Sequence, residues 1–362
     1  MKFFVNRQEL LKKLLVLERV LPSKAYIAAL DGVYIKLEGQ SLTLMTNNLE
    51  MAIKTTLQVE AEGQGEIVLD KKLFPIVQQL SGDEVKIEVA DESAVIKSGK
   101  SKFKLQGNDP EEFPEFITGY EDWTKVHFGG AELKNIIKKT SFCIAKEEGK
   151  ITFTGILLQC SDNGLTCIGS DTFRLARYRK DFEAEAEFGM LMPGKLLIEL
   201  GRILNDEQQV TVYAGNSQSV FVFEDYVASL RLLENNYPDI TKAIPKESKT
   251  TVTANRQELL KLLSRADIVA KDAYNNTANI SVADNVLKVH AEGLTCKMKD
   301  EMSVTMENEE AEEVCFNIKF LQEGLKALDG KEIELQFNGS LGPCMMIEEG
   351  YEYLVLPVKK EG

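Results

Sequence analysis

Few side chains in this 362-residue chain suit catalysis. With only two histidines, His127 and His290, neither a histidine-based zinc site nor a Ser-His triad has enough material. The six cysteines, at 143, 160, 167, 296, 315 and 344, form no C-x-x-C pair, and several fall inside apolar strand runs. Buried free thiols are therefore the expectation, ahead of disulfides or metal ligands. Asp171 and Arg174 could be read as an acid-base pair, but a turn at the edge of a cleft explains them more simply. No P-loop, dinucleotide fingerprint or metal-ligand cluster accompanies them, so neither an enzyme nor a cofactor is expected.

Binding is the chemistry left, and the basic residues are its first candidates. Helical spacing puts Lys12 and Arg19 roughly opposite Leu10 and Leu14, and Lys261 and Arg265 opposite Leu259 and Leu263. Lys134 and Lys138 flank a third apolar stripe, and later helices add Lys71, Lys72, Lys195 and Arg202. Acidic residues are denser at 109–115, 181–187 and 307–313. These lysines and arginines are either ordinary solvated helix faces or one weakly basic wall turned to a polyanion. The net charge of −14 argues against nonspecific coating of nucleic acid but not against such a local surface.

The elements that would position these side chains come in three copies. Asn6-Arg7-Gln8-Glu9-Leu10-Leu11-Lys12 returns as Asn255-Arg256-Gln257-Glu258-Leu259-Leu260-Lys261, an offset of 249. A looser copy, 128–137, lies over 5–14 at an offset of 123, and that register holds through Gly32-Val33 with Gly155-Ile156 and Lys72-Leu73 with Lys195-Leu196. Each copy reads as a short strand, a helix, several strands, a second helix and further strands. Apolar stripes predict the first helices: Leu10, Leu14, Leu17 and Leu21; Leu133, Ile137, Thr140 and Ile144; Leu259, Leu263, Ala266 and Ala270. The second helices are expected over 71–80, 195–204 and 319–328. Gly39-Gln40 and Asp162-Asn163-Gly164 read as hairpin turns. Helices with only sheet to pack on give an α+β fold of three repeated domains, 1–122, 123–246 and 247–362. No run of eighteen apolar residues and no signal-peptide layout is seen, so no membrane association and a cytoplasmic location are expected.

Three segments then carry a family resemblance. Gly169-Ser170-Asp171-Thr172-Phe173-Arg174-Leu175-Ala176 resembles the A-T-D-x-H-R-L-A segment of the bacterial DNA polymerase III beta subunit, the replicative sliding clamp. Arg231-Leu232-Leu233-Glu234-Asn235-Asn236-Tyr237-Pro238-Asp239 is similar to its R-L-L-D-G-x-[FY]-P-D, and 353–359 to its hydrophobic-Pro-hydrophobic-Arg ending. The resemblance covers essentially the whole chain. It implies a DNA clamp fold, a head-to-tail homodimer of six domains in a ring, and twelve helices lining the hole around duplex DNA. It also implies a cleft for short peptide motifs of the polymerase III alpha subunit, the clamp loader and repair factors.

Carried over residue by residue, that cleft comprises Phe153, Ser170, Thr172, Phe173, Arg174, Leu175, Pro238, Lys242, Ala243, Gly342, Cys344, Leu354, Val355, Leu356, Pro357, Val358 and Lys359. An apolar groove with a few polar edges suits extended-peptide recognition, whereas ordinary core is the alternative for its strand members. Family DNA contacts correspond to Lys24, Lys71, Glu147, Ile151 and Thr152. The dimer seam corresponds to Lys100, Lys102, Phe103, Lys104 and Leu105 on one edge and Ile268, Val269, Lys297, Lys299, Asp300 and Glu301 on the other.

Several departures from the pattern suggest a divergent clamp, or a second copy beside a conventional one. Phe173 stands where the family has His, and Lys359 where it has Arg, with Lys360-Glu361-Gly362 appended. Glu147 places an acid among the DNA contacts, and 25–30 lacks a usual proline. Lys297 and Lys299 replace expected acids opposite Lys100, Lys102 and Lys104, which predicts a weaker dimer. The leading expectation is a non-catalytic processivity factor; the alternative is a clamp-derived docking protein that binds peptides and loads little on DNA.

Overall fold

The computed structural model describes residues 1–362 apart from 147, 163, 183–185, 235, 309–310 and 360–362. Glu147, the turn residue Asn163 and the appended tail therefore lie outside the described residues, as do parts of two acidic runs. Among the described residues the α-helices are α1 (Arg7–Leu17), α2 (Leu73–Gln79), α3 (Gly130–Thr140), α4 (Gly194–Ile203), α5 (Arg256–Ala270) and α6 (Ile318–Ala327). They occupy the expected places in the three copies. The first is shorter than its apolar stripe implies: beyond Leu17 the chain tightens into the 3-10 turn Glu18–Val20, which buries Val20 in place of Leu21.

The repeated phrase is a helix start. Asn6 caps α1, its Oδ1 accepting from the backbone N–H of Gln8 at 2.9 Å and of Glu9 at 3.2 Å. Asn255 does the same for α5, from Gln257 and Glu258, both at 3.1 Å. Copy two has Gly129-Gly130 at these positions. A Cβ on Gly130 would stand 1.9 Å from the carbonyl oxygen of Asn205, so the chain passes too close for the arginine of the other copies.

By contact density the chain forms two compact units: 1–134 with 184–192 and 196–232, and 135–183 with 193–195 and 233–362. The first holds a thirteen-stranded antiparallel sheet. Within it Met51–Gln58 of copy one pairs with Tyr226–Arg231 of copy two, Ala52 opposite Ser229. The second unit repeats that join, Arg174–Lys180 pairing with Tyr351–Val355 so that Leu175 faces Leu354. A separate four-stranded sheet runs Lys297–Ser303, Val286–Glu292, Thr277–Ala283, Ala311–Asn317. Alternation along these strands sends Ile280, Val282, Leu287, Val289, Val314 and Phe316 inward against Leu259, Leu262, Leu263 and Ala266 of α5 and Leu321 and Leu325 of α6.

Two seam assignments are corrected by this packing. Val269 is 6% exposed and belongs to the buried stripe of α5, and Leu105 points to the inner face of its strand and is likewise buried. Helical and strand periodicity put their neighbours outside instead: Ile268 is 71% exposed and Phe103 39%.

Candidate functional site

The corner at residues 170–174 organises the second unit. Ser170 Oγ accepts the backbone N–H of Thr172 at 3.1 Å, and Asp171 Oδ1 accepts those of Phe173 and Arg174 at 3.0 and 3.1 Å. These bonds hold Thr172 at φ 77°, a left-handed conformation that a β-branched residue rarely adopts. The consequence is that Phe173 is thrust outward, 57% exposed, while Arg174 turns in. The same corner occurs at the offset of 123. There Leu49 takes φ 74°, Asn47 Oδ1 accepts its N–H at 2.7 Å, and Asn48 Oδ1 accepts those of Glu50 and Met51.

Arg174 is 5% exposed, which changes its expected role. Its Nε donates to Asp171 Oδ2 at 2.9 Å, one terminal nitrogen to Glu323 and the other to the Phe142 carbonyl at 2.6 Å, and its guanidinium lies 4.1 Å from the Phe320 ring centroid. Burial opposes its charge, but the carboxylates of Glu323 and Asp171 beside it keep the guanidinium charged. It is a fixed post behind the cleft. Asp171 likewise builds a turn and an ion pair, in keeping with the simpler of its two sequence readings.

An apolar floor lies beside this corner. Ile168, Leu175, Met345 and Leu354 form a buried cluster on which Leu157, Tyr237, Ile240, Ile244 and Ile347 pack. Phe153 meets Tyr237 edge-on, ring centroids 5.6 Å apart. The tail crosses nearby: Leu356 N–H donates to the Phe173 carbonyl at 2.9 Å, and Val358 N–H to the Cys315 carbonyl at 2.8 Å. The expected cleft residues thus divide by depth. Ser170, Leu175, Cys344, Leu354 and Val355 are buried in the chain's own core, where backbone pairing and alternation put them, and cannot themselves be open surface. Thr172, Phe173, Pro238, Lys242, Ala243, Leu356 and Lys359 are exposed, and Phe153, Gly342, Pro357 and Val358 are half-buried.

A hollow of about 290 Å³ opens at the corner, lined by Ile144, Phe173, Phe320, Arg174, Asp171 and Glu323 with Lys146, Lys150 and Lys319. Lys150 Nζ donates to Thr172 Oγ1 at 2.9 Å and stands 5.1 Å from the centre of the Phe173 ring. Phe320, Tyr237 and these three lysines were not singled out in the sequence. The usable signal for Tyr237 was its place in the Tyr-Pro-Asp segment, which repeats Phe113-Pro114-Glu115 at an offset of 124.

The ten expected DNA-contacting cations, Lys12, Arg19, Lys24, Lys71, Lys134, Lys138, Lys195, Arg202, Lys261 and Arg265, are all exposed or half-exposed. Most have a carboxylate partner: Lys12 with Glu224 at 4.0 Å, Arg19 with Glu199 at 3.7 Å, Lys71 with Asp31 at 2.7 Å, Lys134 with Asp206 at 2.5 Å and Lys138 with Asp329 at 3.3 Å. Arg202 also pairs with Glu199, and Arg265 with Asp300. Lys24 lies over the exposed Tyr26 ring. Ile151, at another expected DNA position, is exposed and apolar. Lys297 is paired with Glu292 of its own chain, whereas Lys299 has no ion-pair partner among the described residues.

Sequence reading missed two buried lysines. Lys13 of α1 pairs with Asp225 and lies 4.3 Å from the Tyr226 ring centroid. Lys139 of α3 pairs with Glu348 at 2.9 Å and Asp329 at 3.1 Å and lies 5.0 Å from that of Tyr351. Each grips the hairpin turn of the next copy. Burial would raise the Glu348 carboxyl's pKa, but bonds from Lys139 and from the N–H groups of Gly330 and Asp329 hold it below its usual value. Among the described residues all six cysteines are free thiols, only Cys296 being exposed, and no cluster of His, Cys, Asp and Glu could hold a metal.

Threefold α+β repetition, with strands of one copy pairing with strands of the next, is the architecture of the DNA clamp class. Three family models match in chain order: the N-terminal domain of the DNA polymerase III beta subunit over residues 1–117, the central domain over 128–239 and the C-terminal domain over 241–359. The chain belongs to the DNA polymerase III beta subunit family. It is 28% identical to the beta sliding clamp of Bacillus subtilis, across 99% of this chain and 100% of that one. The crystal structure of the Bacillus subtilis DNA polymerase sliding clamp superposes with a TM-score of 0.95 at 27% identity, covering 99% of both chains. That of the Thermotoga maritima DNA polymerase III beta subunit gives 0.92 at 26%, again over 99% of each.

Proposed function

We infer that the chain is a DNA sliding clamp, a non-catalytic processivity factor that encircles duplex DNA as a homodimer and tethers a replicative polymerase, the clamp loader and repair factors. The observation that carries this reading is the end-to-end match, three family models in order and a TM-score of 0.95 over 99% of both chains. The mechanism is topological: a closed ring need not grip DNA, and a partner held in the cleft stays at high effective concentration. No helix of the described residues is long and apolar enough to cross a membrane, which accords with work in the cytoplasm.

The domains we propose are 1–122, 123–246 and 247–362; the family models end and begin close to these limits, and the strands Thr124–Gly129 and Thr250–Asn255 open the later copies. We assign phosphate contact to the ten exposed or half-exposed helix and loop cations. Peptide binding falls to the surface over the Leu175–Leu354 floor, rimmed by Phe173, Pro238, Lys242, Leu356 and Lys359. The seam falls to Phe103 and Ile268 with Lys100, Lys102, Lys299 and Glu301. No observation favours the docking-only alternative.

Retention on DNA tests the central reading. Clamp loaded on nicked circular DNA should survive a high-salt wash and be lost when the circle is cut, since a ring slides off an end; equal retention on both forms would sink the topological mechanism. Deleting 356–362 should abolish peptide binding and leave the fold standing, because Val355 and the core beneath remain.

A further inference from the structure

We propose that each seam of the homodimer carries a binding site for a small phosphate-bearing polyanion on the outer face of its sheet, built from lysines of both copies. The proposal rests on the seam reading and adds a ligand to it. The register of the seam follows from the two joins inside the chain. In the first, Ala52, Ile53, Lys54 and Thr55 stand opposite Ser229, Ala228, Val227 and Tyr226. In the second, Leu175, Ala176, Arg177 and Tyr178 stand opposite Leu354, Tyr353, Glu352 and Tyr351, the same register residue for residue. Copy three offers Lys297–Ser303 as the first strand of such a join, since Glu292 pairs with Lys297 as Asn47 does with Ala52. Copy one offers Ser101–Asn108 as the second, since Ser98 pairs with Ser101 across its turn as Phe223 does with Tyr226. That register puts Lys297 opposite the partner's Lys104, Met298 opposite the partner's Phe103 and Lys299 opposite the partner's Lys102. Strand parity agrees with it. Met298 packs on the core and Phe103 stands opposite buried Ile96, so apolar side chains meet on the inner face and lysines on the outer.

Where the second internal join has the ion pair of Arg177 with Glu352, its Nε donating to Oε2 at 2.6 Å, the seam has Lys299 against a lysine. Side chains directly opposite across a strand pair lie with Cβ atoms about 4.5–5.5 Å apart, so two like-charge pairs stand side by side. Lys102, Lys104 and Lys299 are exposed and have no carboxylate within ion-pair distance among the described residues, while Lys297 has Glu292. Glu301 falls opposite the partner's Lys100 and answers that charge alone. A multiply charged oxyanion seated across the strands accepts hydrogen bonds from ammonium groups of both copies and turns two repulsive pairs into bridges. Beside Lys299 a hollow of about 500 Å³ gives it room, with Lys288, His290 and Ser281 as further donors against the acids Glu301, Asp300 and Glu313. Asp300 is already held by Arg265. These lysines lie on the sheet face away from α5 and α6, so duplex held against the helices does not reach them, and a small anion is the ligand.

Sedimentation of the full-length protein across a concentration series, in sodium chloride and in sodium tripolyphosphate at matched ionic strength, tests this. The dimer dissociation constant should fall about tenfold in tripolyphosphate, the scale set by relieving like-charge pairs at both seams of a ring. ATP should act in the same way, since the seam holds the phosphate chain; a response to ATP and none to tripolyphosphate overturns the assignment. Lys102→Gln with Lys104→Gln should tighten the dimer in chloride and abolish the response. Lys326→Gln, exposed on α6, should keep it, and its loss there would place the anion elsewhere. A dissociation constant indifferent to tripolyphosphate in the parent protein, or a response that the double variant retains, overturns the anion site and leaves the dimer standing. If no dimer forms at any concentration in either salt, the ring reading falls and this inference falls with it.

Discussion

Phe173 meets solvent over more than half its surface because a strained Thr172 aims it there. An aromatic wall without a ring donor should favour peptides with bulky aromatic anchors. Phe173→His should shift that rank order by about 1 kcal/mol, the scale of one aromatic contact; identical rankings in competition binding would count against it. This residue was legible in the sequence as a departure from a family pattern. Arg174 was legible only as a cleft residue, and its buried role was not, since its decisive partner Glu323 lies 149 positions away and only the fold brings them together. A second residue-scale prediction concerns Glu348. Its folded pKa is depressed, so its contribution is fully present above the unfolded carboxylate value of about 4.3 and is lost as pH falls through the folded value. Urea titrations should therefore show Glu348→Gln destabilising the protein at pH 7 and much less so at pH 3. An equal loss at both would mean that the carboxylate's charge is irrelevant there.

At the scale of elements, the repeated Asn-Arg-Gln-Glu phrase was the clearest message in the sequence, and its physical content is an N-cap. Asn255→Ala should cost about 1 kcal/mol by leaving the N–H groups of Gln257 and Glu258 without their acceptor. Restoring the phrase in copy two should do harm. Gly130→Arg puts a Cβ against the Asn205 carbonyl, and a melting temperature at or above the parent's would contradict the close approach measured there. Helix number, order and hairpin positions were readable because apolar period and turn residues are local signals. The paired left-handed corners at Leu49 and Thr172 were not, because Asn-Leu-Glu and Asp-Thr-Phe share geometry without sharing side chains. Lys13 and Lys139 were passed over for a related reason: nothing marks a helix lysine as buried until a turn from another copy covers it.

At the scale of the whole molecule, the proposed seam rests on exposed Phe103 and Ile268, since Val269 and Leu105 are buried in the core. Lys299 faces the lysine-rich strand Ser101–Asn108 in the proposed dimer, whereas Lys297 is already balanced by Glu292. Lys299→Glu should thus tighten the dimer, by roughly 0.2–1 kcal/mol per relieved pair, most visibly at low salt. Sedimentation across a concentration series would read it, and a variant that dissociates more readily than its parent would refute the placement.

The ion pairs on the helices have a kinetic side. In the proposed DNA contact, a phosphate approaching Lys12, Arg19, Lys71, Lys134, Lys138, Arg202 or Arg265 would have to displace a carboxylate of the same chain. Exchanging one anion for another releases few counterions and gains little energy, so the potential along a duplex stays shallow at every register. In diffusive terms the surface is smooth. On that assignment friction would stay low, because no step from one phosphate to the next would begin in a deep well.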